Sequence, residues 1–199
     1  MDNAALDRQT IRELIETWAL SRDAGMWENL RAVWHDDNEG MRATWFQGSA
    51  DEFVEGSKGA FARGVRAQHT LGGSTIQVAG NRAIAQTRMA ILHRAPVEGV
   101  TCDFTCIGRF YDFFEKRGRW GLVLRQPIYE TDRLDPLDPS ARLTLDAELL
   151  ARFPEGYRHL AYLQTRIGYT VKPDMPGLDG PEVAALYERG EKWLRGERL

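Results

Sequence analysis

The chain offers four histidines, two cysteines and 29 acidic side chains as raw material for chemistry. His35, His69, His93 and His159 lie far apart, and no Cys/His/Asp cluster has the spacing of a zinc site. The GGS at 72–74 sits inside a predicted strand instead of ahead of a helix, so no phosphate-binding loop is expected. Gly48-Ser49-Ala50 lacks the strand–Ser–helix turn with glycines on both sides that a nucleophile elbow needs. What remains is acid–base chemistry by side chains, with no metal and no cofactor. Such chemistry needs a base with a pKa near the working pH, which suits His, and a carboxylate that fixes the imidazole tautomer and stabilises the imidazolium. Asp23, at the end of a predicted helix, and His69, at the start of a long predicted strand, are the candidates. Both are followed by small residues that leave room for a substrate. An aspartate at a helix C-terminus opposes the helix dipole, which argues that it has another task.

Several elements must position these groups. Residues 7–22 read as an amphipathic helix, with Ile11, Leu14, Ile15 and Trp18 at helical spacing, ended by Gly25. A short helix is expected over 27–34, a strand over 41–46, and a third helix over 49–63 with Ser49 as N-cap. The pattern then changes to β-branched and aromatic residues over 66–79, 82–94, 99–115 and 119–130. Gly80-Asn81, Pro96 to Gly99 and Arg117-Gly118 separate these runs and predict an antiparallel meander. Helices followed by a curled antiparallel sheet give an α+β fold, with the helices closing the sheet into a cone. Asp135-Pro136-Leu137-Asp138-Pro139 reads as a rigid connector. Helices are then expected over 143–152, 157–168 and 181–195. The organisation read here is a cone domain over 1–131 and a helical C-terminal extension over 132–199. The extension carries many aromatics and should pack on the cone or on a neighbouring subunit. Tyr157, His159, Tyr162 and Tyr169 are its candidates for reaching a ligand.

These segments resemble the nuclear-transport-factor-2-like (SnoaL-like) superfamily over roughly residues 7–130. RDAGMWENLRAVWHDD (22–37) is similar to the stretch of hexachlorocyclohexane dehydrochlorinase and scytalone dehydratase in which the first helix delivers a catalytic aspartate. RAQHTLGG (66–73) resembles the strand start that carries the partner histidine, and FFEKRGRWGLVLRQ (113–126) the final hairpin leading to a pocket arginine. The resemblance implies catalytic roles for Asp23, His69 and Arg125. The dehydrochlorinase lysine near the end of the first helix is replaced by Trp18, and its pocket tryptophan falls near Gly40. An arginine amid Val123, Leu124 and Pro127 must either pair or face a cavity. Met89, Ile91 and His93 alternate along one strand, and Thr105, Ile107, Arg109 and Tyr111 along another, so His93, Arg109 and Tyr111 are candidate substrate contacts. Trp45 joins them, although tryptophans first suggest core.

The function expected is a cofactor-independent lyase acting on a small cyclic or aromatic substrate, of dehydratase or dehydrohalogenase type. Isomerase or cyclase chemistry would use the same proton transfer. The alternatives are a carbon–carbon lyase that releases formaldehyde from a lignin-derived diaryl compound, and a non-catalytic ligand-binding cone. A net charge of −3 recommends neither nucleic acid nor an anionic membrane as partner. No run is apolar for long enough to span a bilayer, and MDNAALDRQTIREL does not read as a leader. Cys102 and Cys106, on one predicted strand, read as buried thiols of a cytoplasmic protein. A bare outer sheet face predicts a homo-oligomer, a dimer or trimer.

Overall fold

A computed structural model describes residues 3–199. Met1 and Asp2, which open both the stretch read as lacking a leader and the 1–131 unit, lie outside the described residues. Helix α1 (Asn3–Ala24) buries Ile11, Ile15 and Trp18 on one face. It stops at Gly25, whose φ of +73° is left-handed. Helix α2 (Trp27–Ala32) buries Leu30. Where one strand was expected over 41–46, β1 (Gly40–Ala43) and β2 (Phe46–Gly48) form a hairpin. The turn falls at Thr44-Trp45, which has none of the glycine, proline or asparagine that marks a turn. Helix α3 (Ala50–Ala62) begins with a full capping box between Ser49 and Glu52.

Strands β3 (Ala67–Ala79), β4 (Arg82–Val97), β5 (Val100–Arg117) and β6 (Arg119–Pro136) follow as an antiparallel meander. Gly80, Gly99 and Gly118 turn the chain with φ of +61°, +80° and +78°. The sheet order is β2-β1-β6-β5-β4-β3, with β1 parallel to β6. Val123 and Glu130 of β6 have no partner in β5; these bulges bend the strand and curve an unclosed sheet. Helices α1 to α3 fill its concave face, where Trp18, Leu30 and Phe53 meet Phe104, Phe110 and Leu122. Strand β6 runs on to Pro136, so Asp135-Pro136 belongs to the sheet and not to a connector.

Helix α4 (Ala147–Leu150) is a single turn, shorter than the helix expected over 143–152, because Asp146 caps it late. Helix α5 (Arg158–Arg166) lies against β5 and β6. The buried Asp132 carboxylate anchors it, accepting from Leu160 N and His159 Nδ1, each at 2.8 Å. Helix α6 (Pro181–Leu194) starts with Pro181 in its first turn and sets Val183, Leu186 and Trp193 on Tyr111, Phe113 and Val123. That is the convex face of the sheet. Part of the face expected to be covered by a second copy is thus covered by the chain's own last helix, which weakens the physical reason for an oligomer there.

Candidate active site

The end of α1 and the start of β3 meet through two hydrogen bonds. Asp23 Oδ1 lies 2.6 Å from His69 Nδ1, and Asp23 Oδ2 accepts the His69 backbone N–H at 2.5 Å. The first bond orients the ring and the second fixes the strand that carries it. A carboxylate is an acceptor, so the proton sits on Nδ1 and the lone pair on Nε2. Nε2 makes no hydrogen bond among the described residues. The ring is held edge-on by Trp18 and tilted over Phe110, with centroids 5.3 and 6.0 Å away.

His69 opens onto a cavity of about 110 Å³. Trp18, Phe53, Ile91, Phe104 and Phe110 form the inner wall. The C-terminal extension supplies the opposite side through Leu160, Leu163, Gln164, Ile167 and Tyr169. Tyr169 leans on Trp45 at 5.1 Å, and its hydroxyl accepts from Arg63 Nη2 at 3.1 Å. Thr44 Oγ1 donates to Gln164 Oε1 at 2.8 Å and ties α5 to the β1–β2 turn. The site is therefore a partly enclosed, mostly apolar pocket in which one imidazole nitrogen of His69 is left without a hydrogen bond. In such surroundings a proton acceptor and a developing charge interact strongly, because little water screens them.

The other expected residues divide. His93 and Trp45 line the cavity; the His93 Nδ1–H donates to the Arg66 carbonyl at 2.5 Å. Arg125 does not line it. Its side chain is fully buried, paired twice with Asp112 at 2.7 Å, and its guanidinium lies 4.2 Å from the Trp18 ring and 3.9 Å from that of Phe110. It braces the two rings that hold His69. Arg109 and Tyr111 face the other way, against α6, because Phe110 between them points inward. Arg109 binds Glu130, Gln86 and Tyr187 there, and burial pushes the Tyr111 hydroxyl up to about 12. Of the tail residues, Tyr169 reaches the cavity, whereas Tyr157, Tyr162 and His159 bond elsewhere. Among the described residues no group of three or more His, Cys, Asp or Glu is arranged to hold a metal ion.

Sequence reasoning missed Arg22. It lines the cavity, is 6% exposed, and makes no hydrogen bond or ion pair among the described residues. Burial pushes its guanidinium down from the usual arginine value, against the pull of Asp23 and Tyr169. A signal was present: Ile11, Ile15, Trp18 and Arg22 continue one helical stripe at steps of four, three and four, so the last member had to face inward.

The SnoaL-like domain family matches residues 3–126. Pea pathogenicity protein 2 of Fusarium vanettenii is 34% identical over 210 residues, spanning 100% of this chain and 90% of that protein. An uncharacterised protein of Emericella nidulans is 33% identical over 215 residues with the same coverages. The fold is shared with a crystal structure described as a putative scytalone dehydratase from Novosphingobium aromaticivorans, at TM-score 0.56 and 19% identity over 72% of this chain and 99% of that one. It is also shared with a hexachlorocyclohexane dehydrochlorinase of type 2, at TM-score 0.53 and 16% identity over 72% and 97%.

Proposed function

The chain belongs to the SnoaL-like family, and from that premise we propose that it is a cofactor-independent lyase in which His69, oriented by Asp23, removes a proton from carbon. The observation that carries the reading is the Nδ1-bonded imidazole, 2.6 Å from Asp23, whose free Nε2 belongs to a residue lining a mostly apolar cavity. In the reaction proposed, the C–H electron pair becomes the new π bond and the leaving group departs with its own pair. His69 becomes an imidazolium, stabilised by Asp23. When the leaving group is hydroxide, the imidazolium returns the proton to it and water leaves. The putative scytalone dehydratase and the dehydrochlorinase that share the fold are named for eliminations of this kind. The cavity volume favours a single ring, since an engineered cavity of roughly 150 Å³ is filled by benzene. The same volume weighs against the diaryl alternative.

The test is a panel of cyclic β-hydroxy and β-halo ketones and acids, followed by NMR in D2O for elimination and for deuterium exchange at the acidic carbon. Wild-type protein is expected to turn over at least one member, and His69→Gln to lose roughly 10²–10⁴-fold in rate. Equal rates for the two proteins would end the proposal. Binding without turnover by either would favour the non-catalytic cone.

A further inference from the structure

We propose that the cavity is built for an anionic ligand, a single-ring carboxylate or ring oxyanion, and that Arg22 holds its negative charge. The inference deepens the lyase reading and rests on it only for the claim that this ligand is the substrate.

The first argument is the isolation of Arg22. A buried guanidinium needs a counter-charge, because removing it from water without one is costly. The other buried arginine, Arg125, has its counter-charge in Asp112, and the half-buried Arg109 and Arg82 lie on Glu130 and near Glu115. Arg22 has none. Its neighbour Asp23 is already committed, one oxygen to the His69 ring and the other to the His69 backbone. A buried positive group that lines a cavity and has no hydrogen-bonded partner marks a place where the partner arrives from outside.

The second argument is the polarity of the walls. Among the described residues no aspartate or glutamate lines the cavity. The Gln164 carbonyl is taken by Thr44, which leaves its amide hydrogens as donors. Arg22 and the Gln164 amide are therefore donors on lining residues, set against the neutral acceptors of His69, His93 and the Thr44, Tyr129 and Tyr169 hydroxyls, with no carboxylate among them. A planar guanidinium binds a carboxylate through two parallel hydrogen bonds, which fixes direction as well as charge. It would hold the acid end of a ring while the ring lies among Trp18, Phe53 and Phe110. An arginine kept for a ligand also predicts its own stability cost, since the empty protein holds a largely buried charge with no ion-paired carboxylate.

Benzoate and its neutral isostere benzamide are the probes. Each is titrated at about 0.15 M salt by calorimetry and by the fluorescence of Trp18 and Trp45, which line the cavity. Wild-type protein is expected to bind benzoate at least tenfold more tightly than benzamide. Arg22→Met should abolish that preference, and Arg22→Lys should keep part of it. Arg22→Met should also melt at the same temperature as wild type or higher. His69→Gln should retain the benzoate preference, so loss of the lyase reading would leave the anion site standing, and the reverse. Equal binding of the two probes, no binding of benzoate at millimolar concentration, or an unchanged preference in Arg22→Met would each overturn the proposal.

Discussion

Two Asp–His pairs exist among the described residues, and their surroundings separate them. Asp132 and His159 meet at 2.8 Å, but that contact pins α5 to the sheet and faces no cavity. Asp23 and His69 meet at 2.6 Å where His69 lines one. Asp23→Asn should therefore lower kcat by about 10²–10⁴-fold with little change in KM, because it disturbs the tautomer and leaves the walls intact. His159→Gln should leave kcat near wild type. Steady-state kinetics on whichever compound turns over reads both. Asp23 and His69 were legible because a helix end and a strand start are visible in the pattern, and the resemblance placed the pair. Arg125 was legible as buried and not as paired, since its partner Asp112 lies on another strand. Removing that arginine alone, as in Arg125→Met, should destabilise by about 3–5 kcal/mol in urea titration, leaving Asp112 buried without a partner. His35 gives a pH dependence. Burial pushes its imidazole below its ordinary 6.5, ahead of the opposing pull of the Glu115 carbonyl. The unfolded chain then takes the proton more readily than the folded one. The stabilising contribution is whole above about pH 6.5 and is lost as pH falls through the depressed folded value. Urea midpoints measured between pH 7 and 5 should fall more steeply for wild type than for His35→Gln.

At the scale of elements, the glycine turns at Gly80, Gly99 and Gly118 made the meander readable, and the Ser49 cap and the first-turn Pro181 did the same for α3 and α6. The face of β5 was not readable. Alternation says that Arg109 and Tyr111 share a side, but both sides of this strand are covered, so hydrophobicity does not name the concave one. Close approaches are equally silent in a single sequence. A Cβ on Gly121 would lie 2.7 Å from His35 Nε2, and one on Gly190 would lie 1.9 Å from Tyr111 Oη. Gly190→Ala should push α6 off the convex face and cost about 1–3 kcal/mol of stability, read as a lower thermal midpoint. Chemistry in the cavity should persist near the wild-type rate, because α6 contributes nothing to its walls.

For the molecule as a whole, the extension beyond β6 both closes and braces. Leu160, Leu163, Gln164, Ile167 and Tyr169 wall the cavity, while Val183, Leu186 and Trp193 cover the opposite face of the sheet. Deleting residues 140–199 should give an insoluble product, because Tyr111, Phe113 and Val123 would lose their cover. A soluble and fully active truncation would refute both roles. The central claim is that Asp23 fixes His69 as the Nδ1–H tautomer and leaves Nε2 as the base. Nitrogen-15 NMR of the ligand-free protein tests it without any substrate, in mildly alkaline solution where an ordinary imidazole is neutral. In wild type the unprotonated nitrogen of His69 is expected to be Nε2, and Asp23→Asn is expected to move the proton onto it. An unprotonated Nδ1 in the wild-type protein would contradict the account.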